Sequence, residues 1–148
     1  MVEISRLQKE DIEAVSQIEA EAFSMPWSAK DFEQLLTDEK SLYLVAKIDG
    51  TVVGCCGVTN ACGEGNINNV VVAGEHRGHG IAYIMMKELL EQGLQIGIAE
   101  YTLEVRVSNT PAIHLYEKLG FVSEGIRPGF YEKPIEDAMI MWIRQESR

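Results

Sequence analysis

Three groups of residues in this 148-residue chain have the types and spacing to do chemistry. The first is the loop Gly74-Glu-His-Arg77-Gly78-His79-Gly80, which runs directly into the apolar start of a helix at Ile81. Glycines let the backbone turn tightly, and the first-turn N–H groups of a helix lack internal acceptors at the positive end of its dipole. Together they form an anion pocket that suits a pyrophosphate. Two common phosphate loops are excluded by spelling. There is no G-x-x-x-x-G-K-S/T, and Gly78 and Gly80 are followed by Ala82 and Tyr83 rather than by the last glycine of G-x-G-x-x-G. The second group centres on Glu104, in a run where Tyr101, Leu103, Val105 and Val107 face one way and Thr102, Glu104 and Arg106 the other. A carboxylate there suits either a proton acceptor or a strand glutamate paired with Arg106. The third is Tyr116, at the edge of the stripe Ala112, Leu115 and Leu119. It reads as a buried structural tyrosine or as a phenol able to protonate a leaving group.

The elements that must carry these residues follow from the periodicity. Ile12, Val15, Ile18, Ala22 and Phe23 recur at helical spacing and predict a helix over about Lys9–Phe23. Ser28 with Asp31 three residues on spells a capping box for a short second helix whose apolar side is Phe32, Leu35 and Leu36. Leu42–Ile48 and Thr51–Thr59 read as strands joined at Asp49-Gly50, a type I′ hairpin signal. Ile67–Val72 is a further strand, and the helix after the glycine loop runs from Ile81 to about Gly93. Thr110-Pro111 opens a helix that Gly120 closes, with Asn109 placed for a turn or cap. Phe121–Ile126 and Asp137–Ile143 are expected as two last strands around a loop holding Pro128, Gly129 and Pro134, and Glu3–Leu7 as a short first strand. This order predicts an α/β domain with a mixed sheet, one domain over residues 1–148.

Composition narrows the partners. Thirteen basic residues against 23 acidic ones give a net charge of −10, which argues against a surface built to grip nucleic-acid phosphates. Hydrophobic residues at 46% and charged residues at 24% exclude a disordered chain. The longest apolar runs, Ile81–Met86 and Ala138–Ile143, fall far short of the roughly 20 residues of a membrane-spanning helix. No secretory leader is visible at Met-Val-Glu-Ile-Ser-Arg, and the expected location is cytoplasmic. Cys55, Cys56 and Cys62 form neither a disulfide framework nor a C-x-x-C metal pair, and are expected as small hydrophobes. His76, His79 and His114 lack metal-ligand spacing, so no metal is expected.

Arg77–Ala82 spells R-x-x-G-x-A, which resembles the acyl-CoA pyrophosphate motif of the GCN5-related N-acetyltransferase (GNAT) family, with alanine in place of the more common last glycine. Leu103-Glu-Val-Arg-Val-Ser-Asn109 followed by Ala112-Ile-His-Leu-Tyr116-Glu-Lys-Leu-Gly-Phe121 is similar to a later signature of that family, in the branch that acetylates ribosomal-protein alanine. Phe23-Ser-Met-Pro-Trp27-Ser28 and Tyr131 with Glu136-Asp137-Ala138 resemble the same branch, so the likeness covers the chain in order. The resemblance implies the GNAT fold, a mixed, mostly antiparallel sheet opened at the centre with flanking helices. It implies direct acetyl transfer from acetyl-CoA to an amine, the N-terminal amine of a ribosomal protein, with Glu104 as base and Tyr116 as acid. It further implies a pantetheine arm along Val70, Val71 and Val72, with Asn109 hydrogen-bonding its amides. The pyrophosphate would lie in Arg77, Gly78, His79, Gly80, Ile81 and Ala82, with Tyr83 also on the cofactor side. Trp27, Glu104 and Tyr131 would line the peptide groove. Alternatives of another kind are acetylation of lysine side chains or small amines, or a non-catalytic acetyl-CoA-binding module.

Overall fold

A computed structural model describes residues 1–144 of the chain. Asp49 and Gly50 both take positive φ, 49° and 81°, as a type I′ turn requires, and join β2 (Ser41–Ile48) to β3 (Thr51–Ala61). A second turn of this kind, Cys62-Gly63 with φ 54° and 91°, joins β3 to β4 (Glu64–Val72). Cys62 is therefore exposed at a hairpin tip, whereas Cys55 and Cys56 are buried. The first strand is present as β1 (Val2–Arg6), antiparallel to β2.

The first helix is shorter than its apolar spacing suggests. Lys9–Asp11 forms a 3-10 turn, α1 covers Ile12–Ala22, and Phe23 is extended at its end. Ser28 caps α2 (Ala29–Leu35) through the expected box: the Asp31 N–H donates to Ser28 Oγ at 3.3 Å and the Ser28 N–H to Asp31 Oδ2 at 2.8 Å. α3 spans Ile81–Gln95, β5 Glu100–Arg106 and α4 Thr110–Leu119, the last closed by Gly120 at φ 107°. A loop around Pro128 and Gly129 does not form. Both residues lie inside β6 (Val122–Glu132), which pairs with β7 (Ile135–Ile143) with a register shift between Arg127 and Tyr131. Because β6 is an edge strand, the missing proline N–H leaves no partner unpaired.

Among the described residues seven strands form one sheet in the order β1-β2-β3-β4-β5-β7-β6. All neighbours are antiparallel except β4 and β5. Alternation along β2 serves both faces: Leu42, Leu44 and Ala46 join the core under α3 and α4, while Tyr43 and Val45 join the core under α1 and α2. No helix of the described residues is long and apolar enough to cross a membrane.

Candidate active site

The one parallel junction is short. β4 pairs with β5 only at Glu64–Glu100, Gly65–Tyr101 and Asn66–Thr102, after which the strands part. The divergence is reinforced on the other edge of β4, where Asn69 and Val70 oppose the single residue Cys56 of β3. Such a bulge bends the strand, and Asn69 adopts φ 59° to make it. A cleft of about 850 Å³ opens between the two strands, lined by Val70–Val72 on one wall and Leu103–Arg106 on the other.

The wall on the β4 side ends at the glycine loop. Gly78 and Gly80 take φ of 81° and 78°, a region costly to residues with a Cβ, and Gly80 becomes the N-cap of α3. The first intrahelical bond runs from the Ile84 N–H to the Gly80 carbonyl, so the amides of Ile81, Ala82 and Tyr83 have no helical acceptor. Arg77 donates from Nε to the Val72 carbonyl at 3.0 Å, which fastens the guanidinium to the strand end. Arg77, Gly78, Gly80, Ile81, Ala82 and Tyr83 all line the cleft, whereas His79 is exposed outside the lining. These free amides and the gap between the strands fit an extended molecule with a diphosphate. His76, His114 and Lys118 add basic groups to the same lining, and the Lys118 ammonium lies 4.8 Å over the Tyr83 ring.

Side chains dominate the other wall. Glu104 is half-buried in the lining, and among the described residues it has no ion-pair partner. Arg106 turns instead to Glu136 at 3.2 Å, and its guanidinium also donates to the Pro134 and Lys133 carbonyls at 2.9 and 3.3 Å. Glu136 accepts from the Ser108 N–H at 2.7 Å, and hydrogen bonds from Ser108 followed by Arg106 hold its carboxyl below the usual range. Arg106 also lies 4.4 Å over the ring of Tyr131. This clamp ties the β6–β7 turn to the end of β5. Burial first, then the negative charge of Glu104, push the Tyr131 hydroxyl up to about 12. Tyr116 lines the cleft floor at 7% exposure, edge-on to Phe121. Burial, with smaller contributions from Tyr131 and Cys56, raises its hydroxyl well above the ordinary tyrosine value.

Two expected residues have other local roles. Asn109 lines the cleft, but its side-chain oxygen caps α4 by accepting from the Ala112 N–H at 3.3 Å. Trp27 is absent from the lining: its ring packs against Phe32 at 5.4 Å and Tyr43 at 5.9 Å, behind the cleft. Two phenylalanines join Tyr131 in the lining: Phe23, which the sequence offers only as part of a helical stripe and of the Phe23–Ser28 segment, and Phe130, which sequence patterning does not single out. Asn69 was also missed. Its only signal is the pair Asn68-Asn69 inside a strand that ends in three valines, which does not tell one asparagine from the other.

A sheet parted beside a bulge, with helix amides at one end of the cleft and a carboxylate and a buried phenol in the same lining, suits the binding of an extended diphosphate and proton transfer beside it. The chain belongs to the Acetyltransferase (GNAT) family, whose pattern it matches over residues 12–121. A protein of Escherichia coli (strain K12) named ribosomal protein bS18-alanine N-acetyltransferase is 32% identical over 140 residues, 93% of this chain and 94% of its own. A protein of Bacillus subtilis (strain 168), provisionally given the same name, is 36% identical over 141 residues, 95% of this chain and 93% of its own. The crystal structure of the ribosomal-protein-S18-alanine N-acetyltransferase from Escherichia coli superimposes with a TM-score of 0.89 at 30% identity, covering 100% of this chain and 97% of that one. The mixed sheet and the family expected from the residues are both found.

Proposed function

We propose that this enzyme transfers the acetyl group of acetyl-CoA to the N-terminal α-amine of a ribosomal protein whose first residue is alanine. The observation that carries the reading is the presence in one cleft of Glu104, which has no ion-pair partner among the described residues, and of the buried Tyr116 hydroxyl. The likeness to the bS18-alanine enzymes over nearly the whole chain supports the acceptor.

Acetyl-CoA supplies an activated thioester carbonyl. An α-amine has a reference pKa near 8, so at neutral pH most of it must lose a proton before it can attack. Glu104 accepts that proton, directly or through a water. Main-chain N–H groups on the cleft edge of the Val70–Val72 stretch offer donors where the carbonyl oxygen gains negative charge as nitrogen adds to carbon. The carbon–sulfur bond then breaks, Tyr116 gives its proton to the departing sulfur, and the second proton shed by the new amide nitrogen passes to the phenolate through solvent, while Glu104 returns its proton to water. Phe23, Phe130 and Tyr131 form an apolar mouth for the first residues of the acceptor. Trp27, stacked on Tyr43 and Phe32 outside the lining, packs the segment that begins at Phe23 rather than touching the acceptor.

A panel of peptides differing in the first residue, some with an internal lysine and some with a blocked N-terminus, tests the reading. CoA release with the acetyl group mapped by mass spectrometry to an alanine α-amine is the expected result. Acetyl groups found only on lysines, or only on polyamines offered in parallel, would overturn the acceptor.

A further inference from the structure

Glu19 is a buried carboxylate that the transfer chemistry does not use. At 2% exposure it has no cationic partner among the described residues, unlike buried Asp11, which meets Lys47 at 3.0 Å. Its oxygens instead accept from the Trp27 N–H at 3.1 Å and from the Asn69 amide at 3.1 and 3.2 Å. The Asn69 oxygen accepts in turn from the Tyr43 hydroxyl at 2.7 Å. Tyr43 reaches across β3 to do so because its cross-strand neighbour is Gly57, where a Cβ would overlap the ring. A charge buried without a cation is costly, and burial indeed raises the Glu19 pKa, so an apolar side chain would serve packing better.

What the carboxylate achieves is a connection. Asn69 makes the β4 bulge that leads into Val70–Val72, and Trp27 ends the segment that begins with the cleft-lining Phe23. We propose that Glu19 is a positioning residue: through Asn69 it fixes the bulge that aims the Val70–Val72 main chain into the cleft, and through the Trp27 N–H it fixes the acceptor-side segment against the same point. The inference rests on the reading that those main-chain donors serve acetyl transfer.

A polarity swap tests it. In Glu19→Gln the introduced NH2 group meets the Asn69 NH2 group, donor against donor; in Asn69→Asp two carboxylates meet. In the double variant the introduced amide donates to the introduced carboxylate, which still accepts from Tyr43, while Trp27 still finds an oxygen. Aspartate, like asparagine, tolerates the left-handed conformation at position 69. With an alanine-first peptide, each single variant should lose kcat by roughly 10- to 100-fold, the range for hydrogen bonds to charged groups, and the double variant should return to within about threefold of the parent. Full kcat in Glu19→Gln, or a double variant that regains its melting midpoint but not its kcat, would overturn the proposal. Should a single variant not fold, Asn69→Gly keeps the bulge backbone unstrained and must still lose kcat. Amide hydrogen exchange at Trp27 and Val70, read without any acceptor, should quicken in the single variants and recover in the double; unchanged exchange would also overturn it. If the parent enzyme itself ignores the peptide, the acceptor reading fails while the exchange result still decides the role of Glu19.

Discussion

The two walls of the cleft are built in different ways. The β4 wall and the glycine loop present main-chain amides, shaped by a bulge at Asn69 and positive φ at Gly78 and Gly80, and on the proposed function those amides hold the donor. The facing wall presents side chains drawn from four places, to which the proposed function gives the chemistry: Glu104 and Arg106 on β5, Tyr116 on α4, Tyr131 on β6 and Glu136 on β7. Main-chain sites tolerate changes of side chain and are lost with changes of backbone; side-chain sites are the reverse. Variants on the two walls should therefore separate donor binding from chemistry and from acceptor binding.

The largest effects belong to the facing wall. Tyr116→Phe should lower kcat by roughly 10²-fold or more, within the usual range for general acids, while acetyl-CoA affinity measured by calorimetry changes little. Equal losses of both would place the hydroxyl in binding instead. Glu104→Gln should cost a similar factor at pH 6 and less at pH 9, where the acceptor amine is already deprotonated. A pH-independent loss would reduce Glu104 to positioning.

On the β4 wall, Gly80→Val forces a β-branched residue to a φ of 78°. Acetyl-CoA affinity should fall by roughly tenfold, the equivalent of about 1–2 kcal/mol for a residue with a Cβ in the left-handed region. Peptide KM at saturating acetyl-CoA should stay near the parent value. Arg106→Lys keeps the charge but loses the fork that joins Glu136, Pro134 and Lys133. Peptide KM should rise several-fold, with acetyl-CoA KM unmoved. A parallel rise in both would mean that the walls are not independent.

The smallest effect is a titration. Tyr131 is held up to about 12 in the folded protein, against about 10 for the free phenol, so the folded state keeps that proton more tightly than the unfolded chain. Its contribution to stability is complete below about pH 10 and is lost as pH rises towards about 12. Glu104→Gln removes one of the charges responsible, so the Tyr131 tyrosinate absorbance, isolated by difference from Tyr131→Phe, should appear at lower pH.

The same contrast explains what could be read from the residues. Asp49-Gly50, Ser28 with Asp31, and the glycine spacing from Gly74 to Gly80 are local signals, and the structure follows each of them. Pro128 misled because a proline ends a central strand but not an edge strand, and edge position is a property of the whole sheet. Arg106 sits two residues from Glu104 on one strand, yet β7, antiparallel to β5, brings Glu136 closer. Glu19 and Asn69 are separated by 50 positions, and neither residue announces the other. Trp27, read as part of the groove, lies behind it because two aromatic rings and an N–H bond hold it there.

Calorimetric titration of acetyl-CoA into the parent enzyme and into Glu104→Gln, beside their turnover on an alanine-first peptide, tests the separation of the walls most directly. The account predicts that both proteins bind acetyl-CoA within about twofold of each other while turnover differs by roughly 10²-fold. A parent enzyme with no affinity for acetyl-CoA or CoA, or an affinity that falls in step with turnover, would contradict it.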